Sequence, residues 1–264
     1  MTLIGPKKVV LIGAGNLAHH LATIIIKKGH EIIQVVGRNE KTIKDFASNF
    51  STNYTIKIKE LNPNADVYII CVNDGSIEAL AKSFKVKNKL VLHTSGSISA
   101  EVLKKTSSKY GVLYPLQTFT KAAKMKWSKI PLLIEANTVP AKMELNQFAS
   151  TLSKEVSILD SNQRLKLHLA AVFACNFSNH LYTLSQQYLQ AEGINLFQLL
   201  HPLIQQTAKK IKKINPENAQ TGPAVRNDKL IIEKHLKLLN KYKTHKEVYQ
   251  LLSKSIKQFA TSTK

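Results

Sequence analysis

Short apolar runs alternate with stretches of helical spacing from residue 8 to about residue 160 of the chain. The runs at 9–12 and 31–36 predict strands, and the amphipathic stretch 16–28 between them predicts a helix. The same pattern predicts further strands at 66–72, 89–93, 111–114, 132–135 and 156–160, and helices at 76–84 and 143–152. Alternation of this kind indicates an α/β fold in which helices cross over a parallel sheet.

The strand pattern stops near residue 160, and helical spacing takes over. Helices are predicted at 163–191, 196–213, 228–240 and 246–260. We therefore predict two domains, a sheet domain over 1–160 and an all-helical domain over 161–264. Because ligands bind at the carboxyl edge of such sheets, we expect the site in the cleft between the two halves.

A glycine-rich turn joins the first predicted strand to the first predicted helix. Gly13 allows a tight turn, Gly15 has no side chain to keep a pyrophosphate from the backbone, and Ala18 is small enough for close packing. Asn16 and Leu17 begin the helix, whose free N–H groups would face the phosphates. The pattern predicts a Rossmann dinucleotide-binding domain, with a plain glycine turn as the alternative.

The end of the second predicted strand bears on the choice of cofactor. NAD enzymes usually place an acidic residue there, whereas this chain has Arg38 and Asn39. Arginine pairs well with a 2′-phosphate, so these two residues favour NADP over NAD. The alternative is a surface arginine on the loop. Val72, at the end of a later strand, is also predicted to contact the cofactor.

The charge of the chain raises the question of whether the protein binds nucleic acid. The formal net charge is +21, and 38 residues are Lys or Arg. Only Arg38, Arg164 and Arg226 are arginines, and the lysines are scattered along the chain, which is typical of solvated surface rather than a nucleic-acid site. We expect no nucleic-acid partner.

No leader or membrane span is evident in the sequence, so we expect no membrane partner and a cytoplasmic location. The two cysteines, Cys71 and Cys175, lie in apolar segments and are expected to be reduced and buried. Neither has metal-ligand spacing, and no metal site is predicted.

Two predicted strand ends carry groups that could hold a substrate. After the strand ending at His93, Ser95 and Gly96 could bind a carbonyl or carboxylate through hydroxyl and amide groups, although a serine-rich helix cap would look the same. Gln117, with Tyr114, lies where Pro115 stops another strand.

Polar side chains also mark the helical half. Helical spacing brings His168, Asn176, Asn179 and His180 near one face of an apolar helix, which indicates either a substrate site or a buried structural network. A further loop holds Thr221, Gly222 and Arg226, which could bind a carboxylate or phosphate. In the alternative, that loop is a capped turn in which Arg226 pairs with Asp228.

Several strings together resemble one bacterial family of NADP-oxidoreductase-like proteins, which joins a Rossmann domain to a helical domain of unknown function. They are GAGNLAHHLA (13–22), HTSGS (93–97), YPLQTF (114–119), AAVFACNFSNHLY (170–182) and AQTGPAVRND (219–228). The layout is similar to 6-phosphogluconate dehydrogenase, pyrroline-5-carboxylate reductase, ketopantoate reductase and deazaflavin-dependent NADP oxidoreductases. The resemblance implies a nicotinamide cofactor and a homodimer formed through the helical domain, and it implies no particular substrate.

One departure from those relatives concerns catalysis. β-Hydroxyacid dehydrogenases and ketopantoate reductases carry a catalytic lysine one turn before an asparagine, whereas Val172 stands four residues before Asn176 here. His168 or His180 would then supply the proton, or water and backbone would serve, with Ser95 and Asn176 as further catalytic candidates. The sequence favours an NADP(H)-dependent oxidoreductase acting on a small C=O or C=N substrate, with a non-catalytic dinucleotide sensor as the alternative.

Overall fold

The computed structural model describes residues 5–262, with side chains described up to residue 260. The chain divides into two compact units between Val172 and Phe173. We call the part before this point the sheet unit and the part after it the helical unit.

The sheet unit is built on eight strands in the order β3-β2-β1-β4-β5-β6-β7-β8. All neighbouring strands are parallel except β6 and β7, which are antiparallel. The strands are β1 Lys8–Ile12, β2 Glu31–Val36, β3 Asn53–Thr55, β4 Val67–Ile70, β5 Leu90–His93, β6 Lys109–Pro115, β7 Leu132–Ala136 and β8 Val156–Ile158. The predicted fold class, a Rossmann-like sheet followed by a helical region, is confirmed.

The helices follow the predicted sequence order, with α2 and the short α8 as additions. They are α1 Asn16–Lys27, α2 Glu40–Asn49, α3 Asp74–Lys82, α4 Val139–Leu152, α5 Ser161–Ala171, α6 Ser178–Ala191, α7 His201–Lys210, α8 Pro216–Ala219, α9 Lys229–Leu238 and α10 Lys243–Ser262. Neither α2 nor the short edge strand β3 was expected, because α2 is mostly polar and β3 has only three residues. The change from strands to helices comes between Ile158 and Ser161, close to the predicted position.

Two apolar layers cover the faces of the sheet. On one face, α1, α2 and α4 pack side chains such as Leu21, Ile43 and Phe148 against the strands. On the other face, α3 contributes Ile77 and Ala81. Strand residues alternate between the two layers, as a sheet buried on both faces requires. This sandwich fixes the carboxyl edge of the parallel strands, where the candidate site lies.

The helical unit buries far less of its own apolar surface. Among its described residues, Leu184 and Ala224 are the buried apolar side chains. Large side chains such as Phe173, Leu203 and Leu251 are more than 60% exposed, at 63%, 64% and 68%. The unit therefore has almost no core of its own.

Three predictions about local structure need correction. The stretch 163–191 is not one regular helix, since a π-helix over Val172–Phe177 separates α5 from α6. Cys71 is buried as predicted, but Cys175, within the π-helix, is exposed. The sheet is also not purely parallel, because β7 runs against β6. Within residues 5–262, no helix is both long and apolar enough to cross a bilayer.

Candidate functional site

The glycine turn after β1 has two glycines with different roles. Gly13 has a φ of +123°, and a Cβ there would lie 2.2 Å from the carbonyl oxygen of Cys71. Its N–H donates to the carbonyl of Val36 at 2.8 Å, so the turn is wedged between the ends of β2 and β4. A Cβ at Gly15 would meet no atom within 4 Å. Gly13 is therefore required by the fold, whereas Gly15 borders open space.

That open space is a cavity of about 350 Å³ at the carboxyl edge of the sheet. Its walls come from the ends of β1, β4 and β5, and they include Gly15, Asn16, Leu17, Cys71, Val72, Asn73, Asp74 and Thr94. Strand order reverses between β1 and β4, so the cavity lies at the topological switch point where such sheets bind nucleotides. Four predicted cofactor residues, Gly15, Asn16, Leu17 and Val72, are thus brought together.

Two helices begin at this cavity. The N-cap of α1, Gly15, makes no side-chain hydrogen bond, and the first turn of α1 has no acidic residue. Asn73, the N-cap of α3, likewise makes no side-chain cap bond. The free N–H groups and the positive end of α1 therefore favour an anion on its side of the cavity. The first turn of α3 instead carries the acidic Asp74, which also lines the cavity.

Asn16 also has a structural contact. Its Nδ2 donates to the carbonyl of Phe119 at 3.1 Å. One turn later, His20 Nε2 bonds the carbonyl of Thr120 at 2.8 Å. These two bonds hold the segment after β6 against α1.

Arg38 and Asn39 follow β2 as predicted. Arg38 is exposed and has no hydrogen bond or ion pair with any residue in 5–262. Asn39 is the N-cap of α2, and its Oδ1 accepts a bond from the Thr42 N–H at 2.9 Å. Arg38 is thus available to an anion, while the Asn39 oxygen already has a partner.

Ser95 lies in a buried loop after β5. It is 4% exposed, and its Oγ accepts bonds from the N–H groups of Ser97 and Ile98, each at 3.1 Å. Its own N–H donates to His93 Nδ1 at 3.2 Å. Ser95 therefore organises this loop, and the helix cap that the sequence offered as the alternative is supplied by Ser99, whose side chain accepts from the Glu101 N–H.

His93 is fully buried beneath the same loop. Burial, together with the nearby charge of Arg164, lowers the pKa of His93 to about 4. Its Nδ1 accepts from Ser95, so the neutral ring carries its proton on Nε2, which faces the Ser99 carbonyl at 3.3 Å. His93 supports the loop as a neutral ring.

Gly96 lies under a pair of polar rings. A Cβ at Gly96 would be 2.7 Å from His168 Nδ1 and 2.8 Å from Tyr114 Cζ. Tyr114 Oη and His168 Nδ1 are 3.0 Å apart, and the two rings meet edge to face. Two predicted site residues, Gly96 and His168, are therefore in contact, and Tyr114 joins them. Tyr114 was noted at a strand end but not assigned to the site.

A buried ion pair lies one helical turn from His168. Arg164 on α5 is 1% exposed, and its guanidinium bonds Glu135 on β7 and the carbonyl of Ile98. Ser161 Oγ donates to Glu135 Oε2 at 2.8 Å. No role was predicted for Arg164. The sequence offered only two signals for this ion pair. They are an arginine one helical turn before His168 and an acidic residue at the end of an apolar strand.

The remaining predicted residues of the sheet and helical units make few contacts. Gln117 is exposed, and its Oε1 accepts from the Thr118 N–H at 2.9 Å. Asn176, in the π-helix, and Asn179 and His180, in α6, are all exposed, so no buried network forms around them within the described chain.

The loop before α9 has no Arg226–Asp228 ion pair. Asp228 instead caps α9 by accepting from the Ile231 N–H at 3.2 Å. Arg226 is exposed and its side chain has no partner among residues 5–262. Gly222 adopts a φ of +112°, and Thr221 is exposed beside it.

Comparison with known families gives two matches along the chain. Residues 8–96 match the family described as NADP oxidoreductase, coenzyme F420-dependent. Residues 130–256 match the domain of unknown function DUF2520. No curated protein matches the chain.

Solved structures with a similar fold include three informative cases. A Bacteroides fragilis protein described as a "putative NADP oxidoreductase" is 40% identical with a TM-score of 0.89, covering 96% of this chain and 98% of its own. An imine reductase from Myxococcus stipitatus, solved with NADP+, has a TM-score of 0.66 at 15% identity, with 97% and 94% covered. A reductive aminase from Aspergillus terreus, solved with NADPH and ethyl-5-oxohexanoate, has a TM-score of 0.70 at 15% identity, with 98% and 95% covered.

The second and third likenesses show the fold alone, whereas the first extends over nearly the whole of both chains at an identity that shows common family membership. The resemblance found in the sequence is therefore confirmed. The chain belongs to the NADP oxidoreductase family, in the group that joins an NADP-binding Rossmann domain to a C-terminal domain of unknown function.

Proposed function

We propose that the protein is an NADP(H)-dependent reductase that transfers hydride to or from a small C=O or C=N substrate, one that carries a carboxylate. The observation that carries the proposal is the cavity between the ends of β1 and β4. It is bordered by the first turn of α1, which carries no acidic residue and whose N-cap makes no side-chain bond. Such a cavity fits the pyrophosphate of a dinucleotide.

The residues present fit this cofactor. Gly15 leaves open the space that a pyrophosphate needs, and Asn16 and Leu17 supply N–H groups at the start of α1. Val72 and Thr94 line the far side of the cavity. When bound, NADPH supplies the hydride.

The preference for NADP rests on Arg38. Its guanidinium has no partner among the described residues, and a 2′-phosphate would give it two charge-assisted bonds. NAD appears with one imine reductase variant of similar fold, so that fold accepts either cofactor. Arg38 is the feature of this chain that favours NADP.

Support for the substrate class comes from both units. Relatives of similar fold are an imine reductase and reductive aminases, whose names indicate C=N chemistry. Arg226 is exposed without a partner among the described residues, as a group that binds a carboxylate requires. We assign substrate binding to this arginine together with Thr221, Gly222, Asn179 and Gln117, and catalysis to Asn176, His168 and His180. Ser95 and Gly96 are left out, because the Ser95 hydroxyl is bonded within its own loop and the space at Gly96 is filled by two rings.

A second candidate function is a dinucleotide sensor without catalysis. Val172 favours it, since it stands where related dehydrogenases place a catalytic lysine. The residue begins the π-helix that contains Asn176.

We also propose that a second copy of the chain covers the helical unit. Apart from Leu184 and Ala224, no apolar side chain of the described part of this unit is buried. Helices that expose leucine and phenylalanine at this level are stable only when another surface covers them. A cytoplasmic location, and no nucleic-acid or membrane partner, remain part of this proposal.

Two variants test the cofactor assignment. In Gly15→Ala the added methyl meets no protein atom, so the protein should fold normally yet bind both NADPH and NADH about tenfold more weakly. Arg38→Ala should lose about tenfold, or 1.4 kcal/mol, of NADPH affinity and leave NADH affinity unchanged. Fluorescence titration of both cofactors measures these changes.

The wild type decides between the two candidate functions. Equal affinity for NADPH and NADH would refute the assignment of Arg38, and binding of neither would refute the proposed function. Tight NADPH binding without oxidation across a panel of 2-oxo acids, keto esters and cyclic imines would favour the sensor.

A further inference from the structure

One acidic side chain lines the cavity at the carboxyl edge of the sheet. Asp74 begins α3, shortly after β4, and within the described chain it is the charged residue among those that form the cavity wall. Cys71, in the same wall, is buried, and burial raises the pKa of its thiol to about 12, so the thiol is neutral at pH 7. No other group in the wall therefore balances the charge of Asp74.

The Asp74 carboxylate also has no cation beside it. It forms no ion pair within residues 5–262, although the formal net charge of the chain is +21. Its Oδ2 accepts from the Ser97 hydroxyl at 2.5 Å, which ties the loop after β5 to the start of α3. A carboxylate repels the phosphates of a dinucleotide, so its presence in this wall is favourable only if the ligand brings a positive charge to the same side.

Strand order determines which part of a dinucleotide lies on the side of Asp74. In the order β2-β1-β4-β5, Arg38 follows β2 on one side of the switch point, and Asp74 follows β4 on the other. A dinucleotide binds across such a point, with its two halves on opposite sides. With the 2′-phosphate at Arg38 and the pyrophosphate at the start of α1, the nicotinamide half falls on the side of Asp74.

We propose that Asp74 makes the protein bind the oxidised cofactor more tightly than the reduced one, by attracting the positive charge of the oxidised nicotinamide ring. This inference rests on the proposed function. NADP+ and NADPH have the same phosphates and riboses, and they differ in the ring, which is cationic when oxidised and neutral when reduced. The attraction therefore acts on one form alone.

This preference would favour reduction of the substrate. When the reduced ring gives a hydride, with its two electrons, to the substrate carbon, the ring gains the positive charge that Asp74 stabilises. Tighter binding of the oxidised form lowers the reduction potential of the bound couple. Bound NADPH is then a stronger hydride donor than NADPH in solution.

The ratio Kd(NADPH)/Kd(NADP+) isolates this effect, because interactions common to both cofactors cancel. Asp74→Asn removes the charge but keeps an oxygen that accepts from Ser97. Asp74 is exposed, so water screens part of the attraction, and we expect the ratio to fall about fivefold in this variant. The potential of the bound two-electron couple would then rise by about 20 mV. Fluorescence titration with NADPH, followed by displacement with NADP+, measures both constants.

Three further variants check that the charge is the cause. Glu78→Gln removes a carboxylate from the same helix, at an exposed site that pairs with Lys82 at 2.6 Å and does not line the cavity. Ser97→Ala removes the bond to Asp74 and keeps its charge. Both should keep the wild-type ratio. Asp74→Ser removes the same charge with a smaller side chain and should reproduce the fall.

The other outcomes count against defined claims. An unchanged ratio in both Asp74 variants would overturn this inference and leave the cofactor assignment standing, with Asp74 as a contact to Ser97. An equal fall in Ser97→Ala would assign the effect to the position of the loop, and an equal fall in Glu78→Gln would assign it to the overall charge; either would overturn the inference. A wild type that binds neither cofactor would overturn the proposed function, and this inference with it.

Discussion

The two units of the chain bury their apolar residues to very different degrees. In the sheet unit, both faces of the sheet are covered, and side chains such as Phe148 and Leu21 are fully buried. In the helical unit, Leu203, Leu251 and Phe259 are more than 60% exposed, at 64%, 68% and 68%. The sheet unit therefore has a covered apolar core of its own, whereas the described helical unit leaves large apolar side chains exposed. Apolar burial supplies most of the free energy of folding, so the stability of the two units should respond differently to mutation and to protein concentration.

The largest expected effect is on assembly. If a second copy covers the helical unit, the wild type should sediment at twice the mass of the chain, and Leu203→Glu should dissociate it because burying an unpaired carboxylate is costly. Val139→Glu, at a side chain 69% exposed in the sheet unit, is the matched control and should stay assembled. A wild type that is monomeric at micromolar concentration in sedimentation velocity would contradict the proposal that a second copy covers the helical unit.

The next largest effect is on the core of the sheet unit. Phe148→Ala should lower the free energy of unfolding by about 3–5 kcal/mol, because it leaves a cavity among fully buried side chains. Since those contacts lie within one chain, the loss should be the same at every protein concentration. The paired variant Phe173→Ala, in the helical unit, should instead show a loss that depends on concentration. Urea unfolding at two protein concentrations measures the loss of unfolding free energy in each variant. The same dependence on concentration in both variants would contradict the proposed difference between the two units.

A smaller effect concerns the pH dependence of stability in the sheet unit. His93 has a pKa of about 4 when folded, against an ordinary value of 6.5. Between these values the unfolded chain binds a proton that the folded chain does not, so stability should fall as pH falls from 6.5 to 4.

The loss from this residue should reach about 3 kcal/mol at most. His93→Asn should flatten that part of the profile, while His180→Asn, at an exposed site in the helical unit, should not. Urea unfolding at a series of pH values would show whether the two profiles differ, and unchanged slopes in His93→Asn would argue against burial as the cause.

The smallest stability effect is expected at Asn176. The side chain is exposed in the π-helix, so Asn176→Ala should change the free energy of unfolding by about 0.5 kcal/mol or less and leave NADPH affinity unchanged. If Asn176 binds substrate, the variant should nonetheless lose NADPH oxidation. A clear drop in melting temperature would show that the amide is structural, and full turnover would favour the sensor.

The sequence was informative where structure depends on neighbouring residues. The strand–turn–helix around Gly13 and Gly15 was predicted because its periodicity and its glycines lie within one short stretch. The polar helix α2 was missed because only Ile43, Phe46 and Ala47 face the core, too few to stand out among polar neighbours. The π-helix could not be read from a spacing that also suits a regular helix.

The candidate site was only partly predictable, because its contacts join distant parts of the chain. Tyr114 meets His168, and Arg164 meets Glu135, across the sheet edge and far apart in sequence. A local sequence pattern does not indicate which side chains will contact each other. Ser95 is an example. Its position after β5 suggested a substrate contact, yet its hydroxyl accepts bonds from its own loop.

The segment after β6 is attached to α1 through main-chain carbonyls, and this has a consequence for how its sequence could vary within the family. Asn16 and His20 bond the main-chain carbonyls of Phe119 and Thr120, not their side chains. Every residue type has such a carbonyl, so substitutions from 120 to 126 would leave these two anchors in place. A lineage could therefore vary the chemistry of this segment during evolution without having to rebuild its attachment.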